Sequence, residues 1–160
     1  QLAKDLLCLY KKGYYYTDIK LANTLYKCLS NKKIKVTLGD VGSICFKKDY
    51  CTITNMPFEF KRKNPRGTSG AIVWGLGVMF LSMLYSKRID EFVHWSVSEM
   101  GEKRMYETVY HYIDNLQRNI RDKKITDTIT VKDLLLKMLV TYPSGRIKLN
   151  DLVEILNEYN

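Results

Sequence analysis

The sequence is poor in the residues that break, crosslink or divide a chain. Its 160 residues include nine glycines and three prolines, so no Gly/Ser-rich or Pro-rich linker separates one part from another. Histidine is nearly missing: His94 and His111 stand alone, which argues against a general-base role for either. Cys8, Cys28, Cys45 and Cys51 form no Cys-x-x-Cys pair, and a zinc site needs two close ligand pairs. With no signal peptide visible, they read as reduced thiols of an intracellular protein, cytoplasmic or nuclear, rather than a disulfide frame. Repeats and low-complexity tracts are missing too. At 46% apolar and 27% charged residues, disorder, collagen and coiled coil are excluded, and the length suits one domain.

Acidic residues are outnumbered, 17 against 26 Lys and Arg, for a net charge of +9. That balance permits acidic partners, but it bears on association and not on fold. One long uncharged run, residues 67–86, tests for a membrane span. Its strongly apolar part, Ala71 to Tyr85, contains Gly75, Gly77 and Ser82 and is flanked by turn-like residues instead of aromatic belts. A helix that is apolar all round also suits the centre of a globular core, and that reading is preferred.

Along the chain, residues 1–12 read as a helix ended by Gly13. Residues 14–23 lack a period and read as a loop. Thr24–Leu29 and Lys33–Leu38 read as a hairpin turning at Ser30, Asn31 and Lys32. Residues 39–67, with Pro57 and Pro65, read as one long irregular segment, and such loops tend to be functional. A buried helix follows, then a polar helical stretch over about 98–121 and a helix around 131–142. The last helix carries Leu149, Leu152, Val153 and Leu156 at i, i+3, i+4 and i+7. The expected class is mainly α with one small β-hairpin and a long segment beside it.

Two acidic motifs flank the hairpin: Tyr16-Thr17-Asp18-Ile19-Lys20-Leu21-Ala22-Asn23 before it and Gly39-Asp40-Val41-Gly42 after it. The outer ends of a tight hairpin lie together, so Asp18, Asn23 and Asp40 should converge. Two carboxylates and an amide oxygen are hard ligands that suit Mg²⁺ together with phosphate oxygens. Lys20 adds a charge able to offset a transferring phosphoryl group. Alone, each string is also compatible with a plain structural turn; their order and spacing point to a Mg-nucleotide site.

The string Asp18 to Asn23 resembles the kinase catalytic loop, with Asp and Asn five apart, and Asp40-Val41-Gly42 resembles the Asp-Phe-Gly motif. Met56-Pro57-Phe58-Glu59 is similar to the end of an activation segment, Val73 to Val78 to the start of a kinase central helix, and Tyr142 to Ile147 to the element before the final helix. In that order the motifs resemble the C-terminal lobe of a eukaryotic-type protein kinase over essentially all of 1–160. The expected parts are a catalytic loop at 16–23, an Asp-Val-Gly and activation segment at 40–59 and a central helix at about 69–86. The Tyr/Lys/Asn-rich wording is similar to kinases of large DNA viruses. The resemblance implies Asp18 as the acceptor of the substrate proton and Lys20 as a γ-phosphate contact. It also implies Asn23 and Asp40 as Mg²⁺ holders, with ATP as cofactor and a protein as substrate. Leu25 would form a buried apolar floor under the adenine, or else serve as a plain core strand residue. Glu59 and Arg146 would form a buried ion pair, and Lys20 favours Ser/Thr substrates.

The departures bear on regulation. Tyr16 and Thr17 replace His-Arg, which removes the arginine that clasps a phosphate on the activation segment, where Tyr50, Thr52 and Thr54 lie. Val41 replaces Phe, Ala22 replaces an acidic residue, and Ile72 stands where the central helix normally carries an Asp. No Gly-rich loop, Val-Ala-Ile-Lys lysine or partner glutamate is present, so the N-terminal lobe is absent from this sequence and the 160-residue piece alone is expected to be inactive. The alternative is a pseudokinase or truncated kinase-like binding module without catalysis. A nucleic-acid-binding domain is the weakest alternative, resting on the runs Lys32/Lys33/Lys35 and Lys61/Arg62/Lys63/Arg66 without a recognised motif. No membrane association is expected.

Overall fold

The first helix, α1, runs Leu2–Lys11 and puts Ala3 and Leu6 into the core. It stops because Gly13 takes φ 81°, a left-handed value that suits glycine, while Gly13 N–H donates to the Tyr10 carbonyl at 2.9 Å. The structure, a computed structural model, describes residues 1–16, 18–30, 33–46, 68–85, 114–115, 117–118, 121–122, 129–140 and 142–158.

Beyond α1 the described residues hold four short strands: β1 Tyr14–Tyr16, β2 Thr24–Cys28, β3 Ile34–Leu38 and β4 Ile44–Phe46. Strands β2 and β3 form the expected hairpin, from Thr24↔Leu38 to Cys28↔Ile34. The loop expected over 14–23 is replaced at its start by β1, which pairs antiparallel with β4 in the register Tyr14↔Phe46 to Tyr16↔Ile44. Residues 39–46, expected to be irregular, hold a 3₁₀ turn at Val41–Ser43 and then β4. Three consecutive tyrosines favour extended backbone, and a partner strand 28 residues on satisfies their peptide groups.

Further helices with bounds among the described residues are α2 Ser69–Tyr85, α3 Ile129–Met138 and α4 Leu149–Glu158. Helix α3 ends at Met138, short of the expected 142. Thr68 caps α2, its Oγ1 accepting from the Ala71 N–H at 3.1 Å. Helix α2 is apolar all round because it is surrounded as far as Ser82, whereas Met83 and Leu84 near its end are exposed. Its Ile72, Val73, Leu76 and Met79 meet α1 and α4 residues, while Trp74, Val78 and Leu81 meet Leu135 and Leu139 at the end of α3. Ser82, the polar residue in its buried stretch, donates to the Val78 carbonyl at 2.9 Å. No helix among the described residues is long and apolar enough to cross a membrane.

The approach of α2 to α3 depends on Gly77. A Cβ there would lie 2.9 Å from Leu139 Cδ2 and 3.1 Å from Met138 Cβ, and Leu139 is fully buried and has no room to swing aside. Gly77→Ala should therefore destabilise the fold by about 1 kcal/mol, an overpacking cost partly offset by better helix propensity. A urea midpoint unchanged or raised in this variant would contradict that packing.

Arg146 is buried beside the N-terminus of α2. Its guanidinium donates to the Gly70 carbonyl at 2.7 Å and the Val140 carbonyl at 2.9 Å, and it lies over Trp74 at 4.9 Å. Glu59, its expected ion-pair partner, lies outside the described residues, as do Thr17, Tyr50, Thr52, Thr54 and the Met-Pro-Phe-Glu string. Most of the polar stretch 98–121 and both histidines lie outside them as well.

Candidate phosphoryl-transfer site

The segment between β1 and β2 is pinned at its centre by an apolar residue. Ile19 is 1% exposed, and its Cβ lies 3.1 Å from where a Cβ on Gly75 would sit. The lack of a side chain at Gly75 therefore lets α2 pass directly beneath Ile19. Ile72, also buried, takes part in the same packing at the position where an Asp was expected.

With Ile19 pointing down, its neighbours meet above it. Asp18 is 5% exposed, and its Oδ2 accepts from Asn23 Nδ2 at 2.6 Å and pairs with Lys20 Nζ at 2.8 Å. The same Asn23 amide also donates to the Asp18 carbonyl at 3.1 Å. A 3₁₀ turn at Leu21–Asn23 sets the five-residue spacing, and Thr24 Oγ1 closes it by donating to the Lys20 carbonyl at 2.9 Å. The structure thus brings Asp18, Lys20 and Asn23 into direct contact.

Asp40 joins them through the backbone. Gly39 N–H donates to the Asn23 carbonyl at 2.7 Å, which extends the β2–β3 ladder to the residue before Asp40. Asp40 is exposed and adopts φ 46°, ψ 60°, the left-handed region that Asp tolerates better than most residues. Ser43 Oγ donates to its Oδ2 at 3.2 Å. Among the described residues no three His, Cys, Asp or Glu side chains cluster as a metal site by themselves. A divalent ion here would rest on the Asp40 carboxylate and the Asn23 amide oxygen, with the remaining ligands supplied by phosphate and water. The donor set fits Mg²⁺: all oxygens, few from protein.

Leu25 is 59% exposed, so the burial that both of its readings expected, as a floor and as a core residue, is corrected. The hairpin stands proud of α2, which leaves Leu25 open on one face and Tyr26 and Ile34 exposed on the other. An open apolar side chain two residues after Asn23 is in a position to underlie a planar ring. Tyr14 is exposed and Tyr15 meets the Tyr10 ring edge-on at 5.3 Å, whereas Tyr16 is buried.

Tyr16 is the residue that the motifs alone did not reveal. Its hydroxyl donates to the Gly39 carbonyl at 2.8 Å. Burial pushes its pKa above 10.0 and the Asp18 and Asp40 charges push the same way, while a hydrogen bond with Asn23 opposes them. Both carboxylates therefore lie close to one phenol. The sequence marked it only as the first residue of the Tyr16–Asn23 motif and as the end of a strand-forming tyrosine run, neither of which gives its contact with Gly39. Because the native state holds this proton more tightly than the unfolded chain, its contribution is complete below pH 10 and is lost as pH rises through the unfolded and then the folded value. The stability gap between wild type and Tyr16→Phe should accordingly narrow above pH 10 in urea titrations. A gap independent of pH up to 11.5 would contradict the burial of the hydroxyl.

No family model and no curated protein matches the sequence. Among solved structures, the ROP18 kinase domain in complex with AMP-PNP and sucrose is similar, at a TM-score of 0.60 and 20% identity. The fold is kinase-like. The match covers 96% of this chain and 37% of that one, so the chain spans little more than a third of that neighbour's length. A mostly helical kinase-like fold with a small hairpin agrees with the class expected from the motifs, and the Asp18–Asn23 and Asp40 segments flank that hairpin.

Proposed function

We propose that the chain is the C-terminal lobe of a Ser/Thr protein kinase that transfers the γ-phosphate of ATP to a protein hydroxyl. The observation that carries this reading is the shared oxygen of Asp18, held at once by Asn23 and Lys20 beside the turn that bears Asp40. With Oδ2 occupied by two donors, Oδ1 is the oxygen available to accept from an incoming hydroxyl. Asp18 orients that hydroxyl and takes its proton, and Lys20 lies against the developing phosphoryl charge. Asn23 and Asp40 would hold Mg²⁺, whose role when bound is to neutralise charge on the phosphate oxygens. Leu25 supplies an apolar surface for the adenine. The neighbour's complex with a nucleotide analogue supports nucleotide as the ligand class. Lys20 in the loop supports Ser/Thr over Tyr substrates, and the composition supports a viral source.

A second reading, a pseudokinase, draws on Thr17 and Ile72, which depart from the catalytic pattern. The deciding experiment is phosphate transfer from Mg-ATP to a mixed protein substrate by the full-length protein and its Asp40→Ala variant. Transfer by the wild type and a loss of at least about 100-fold in the variant is expected. No transfer and no Mg²⁺-dependent nucleotide binding by the wild type would favour the pseudokinase.

A further inference from the structure

We propose that the outward face of the β2–β3 hairpin is a docking surface for an acidic segment of a partner protein, anchored on the opposed Lys27 and Lys35. The register fixes which side chains share that face. Leu29 N–H donates to the Lys33 carbonyl at 2.8 Å and Gly39 N–H to the Asn23 carbonyl at 2.7 Å, so both of these rungs are hydrogen-bonded. Every second rung is of the same kind, which makes Lys27↔Lys35 a hydrogen-bonded pair with Cα atoms about 5.5 Å apart. Leu25, Lys27 and Leu29 therefore issue on one side together with Lys33, Lys35 and Thr37, all of them exposed. Thr24, Tyr26, Ile34 and Val36, on the other side, line a cavity shared with Met79 of α2 and Leu156 of α4, so the lysine side is the outward one.

Like charges directly opposite one another destabilise a sheet. Among the described residues neither the Lys27 nor the Lys35 side chain has an ion-pair or hydrogen-bond partner. One carboxylate placed between the two ammonium groups removes the repulsion and serves both. Leu29, 40% exposed beside Lys33, offers an apolar contact to the residue next to that carboxylate. No aromatic or arginine side chain issues from this face, since Tyr26 belongs to the other, and bases therefore have no stacking platform here. That favours an acidic peptide over a nucleic acid. The surface is independent of the reading of the catalytic loop.

Lys35→Glu separates docking from folding. It replaces the repulsion by a cross-strand attraction, so the urea midpoint of the full-length protein should rise while docking is lost. The probe is a short fluorescent peptide of alternating Leu and Glu, read by anisotropy at low salt. The wild type should bind it, Lys35→Glu should weaken binding by about fivefold or more, and Lys27→Gln by a smaller factor. Lys148→Glu, an equal change of net charge at the exposed residue before α4, should leave the affinity unchanged. If Lys35→Glu unfolds instead, Lys27→Gln carries the same test, because it removes the charge and keeps most of the side chain. No binding by the wild type, or binding that Lys148→Glu weakens as much as the hairpin variants do, would overturn the proposal. Tighter capture of a single-stranded oligonucleotide of equal charge, lost in the hairpin variants, would overturn it in favour of a nucleic acid.

Discussion

Asp18→Asn is expected to lower phosphoryl transfer by roughly 10²–10⁴-fold, the range for removal of a positioned general base. The two side chains have the same size, and the carbonyl oxygen of the new amide can still accept from Asn23. What is lost is the proton acceptor and the negative charge that Lys20 faces at 2.8 Å. Single-turnover transfer from labelled ATP reads the first loss. The unfolding free energy from urea titration should fall by only about 1 kcal/mol, because the amide keeps the bond from Asn23 and Lys20, the part-exposed member of the ion pair, can turn to water. A variant retaining transfer within a few-fold of wild type would exclude Asp18 as the base. A variant that unfolds would assign Asp18 a mainly structural role.

Ile19→Ala should destabilise the protein by about 2–5 kcal/mol, as expected for truncating a buried aliphatic side chain that little can collapse around. The floor beneath Ile19 is Gly75, which has no side chain to move into the space. The effect should reach the chemistry. Asp18 and Lys20 flank Ile19 directly, and the central helix offers the loop Ile72 rather than a carboxylate to bond its backbone. Transfer measured well below the unfolding transition should therefore fall along with stability, whereas Ile19→Val should cost about 0.5–1.5 kcal/mol and keep most of the transfer. Full activity in a strongly destabilised Ile19→Ala variant would show that the loop is held from elsewhere.

The helices were legible because each carries a pattern long enough to read. Leu149, Leu152, Val153 and Leu156 define one face of α4, and the uncharged run up to Tyr85 defines α2. Strands β1 and β4 were not legible, since three residues are too few to show a period of two and the pairing spans 28 residues of sequence. The exposure of Leu25 was hidden for another reason. Leu25 shares its face of β2 with Lys27, and Tyr26 shares the other with Thr24 and Cys28, so the strand has no uniformly apolar face that alternation could assign to the core. Within the site, the local spacing from Asp18 to Asn23 carried the contact between them, because a 3₁₀ turn converts five residues into one hydrogen bond. The link from Tyr16 to Gly39 is non-local and depends on the reach of one phenol, which no motif encodes.

The all-apolar surface of α2 also has a consequence for synthesis. The residues that cover it lie partly in α1 and partly in α3 and α4, and the last of these ends at Glu158, 73 residues beyond Tyr85 (158 − 85). At roughly 5–20 residues per second, translation leaves this helix half-covered for about 4–15 seconds after it forms. For that interval the nascent chain displays an apolar helix surface of the kind that chaperones bind.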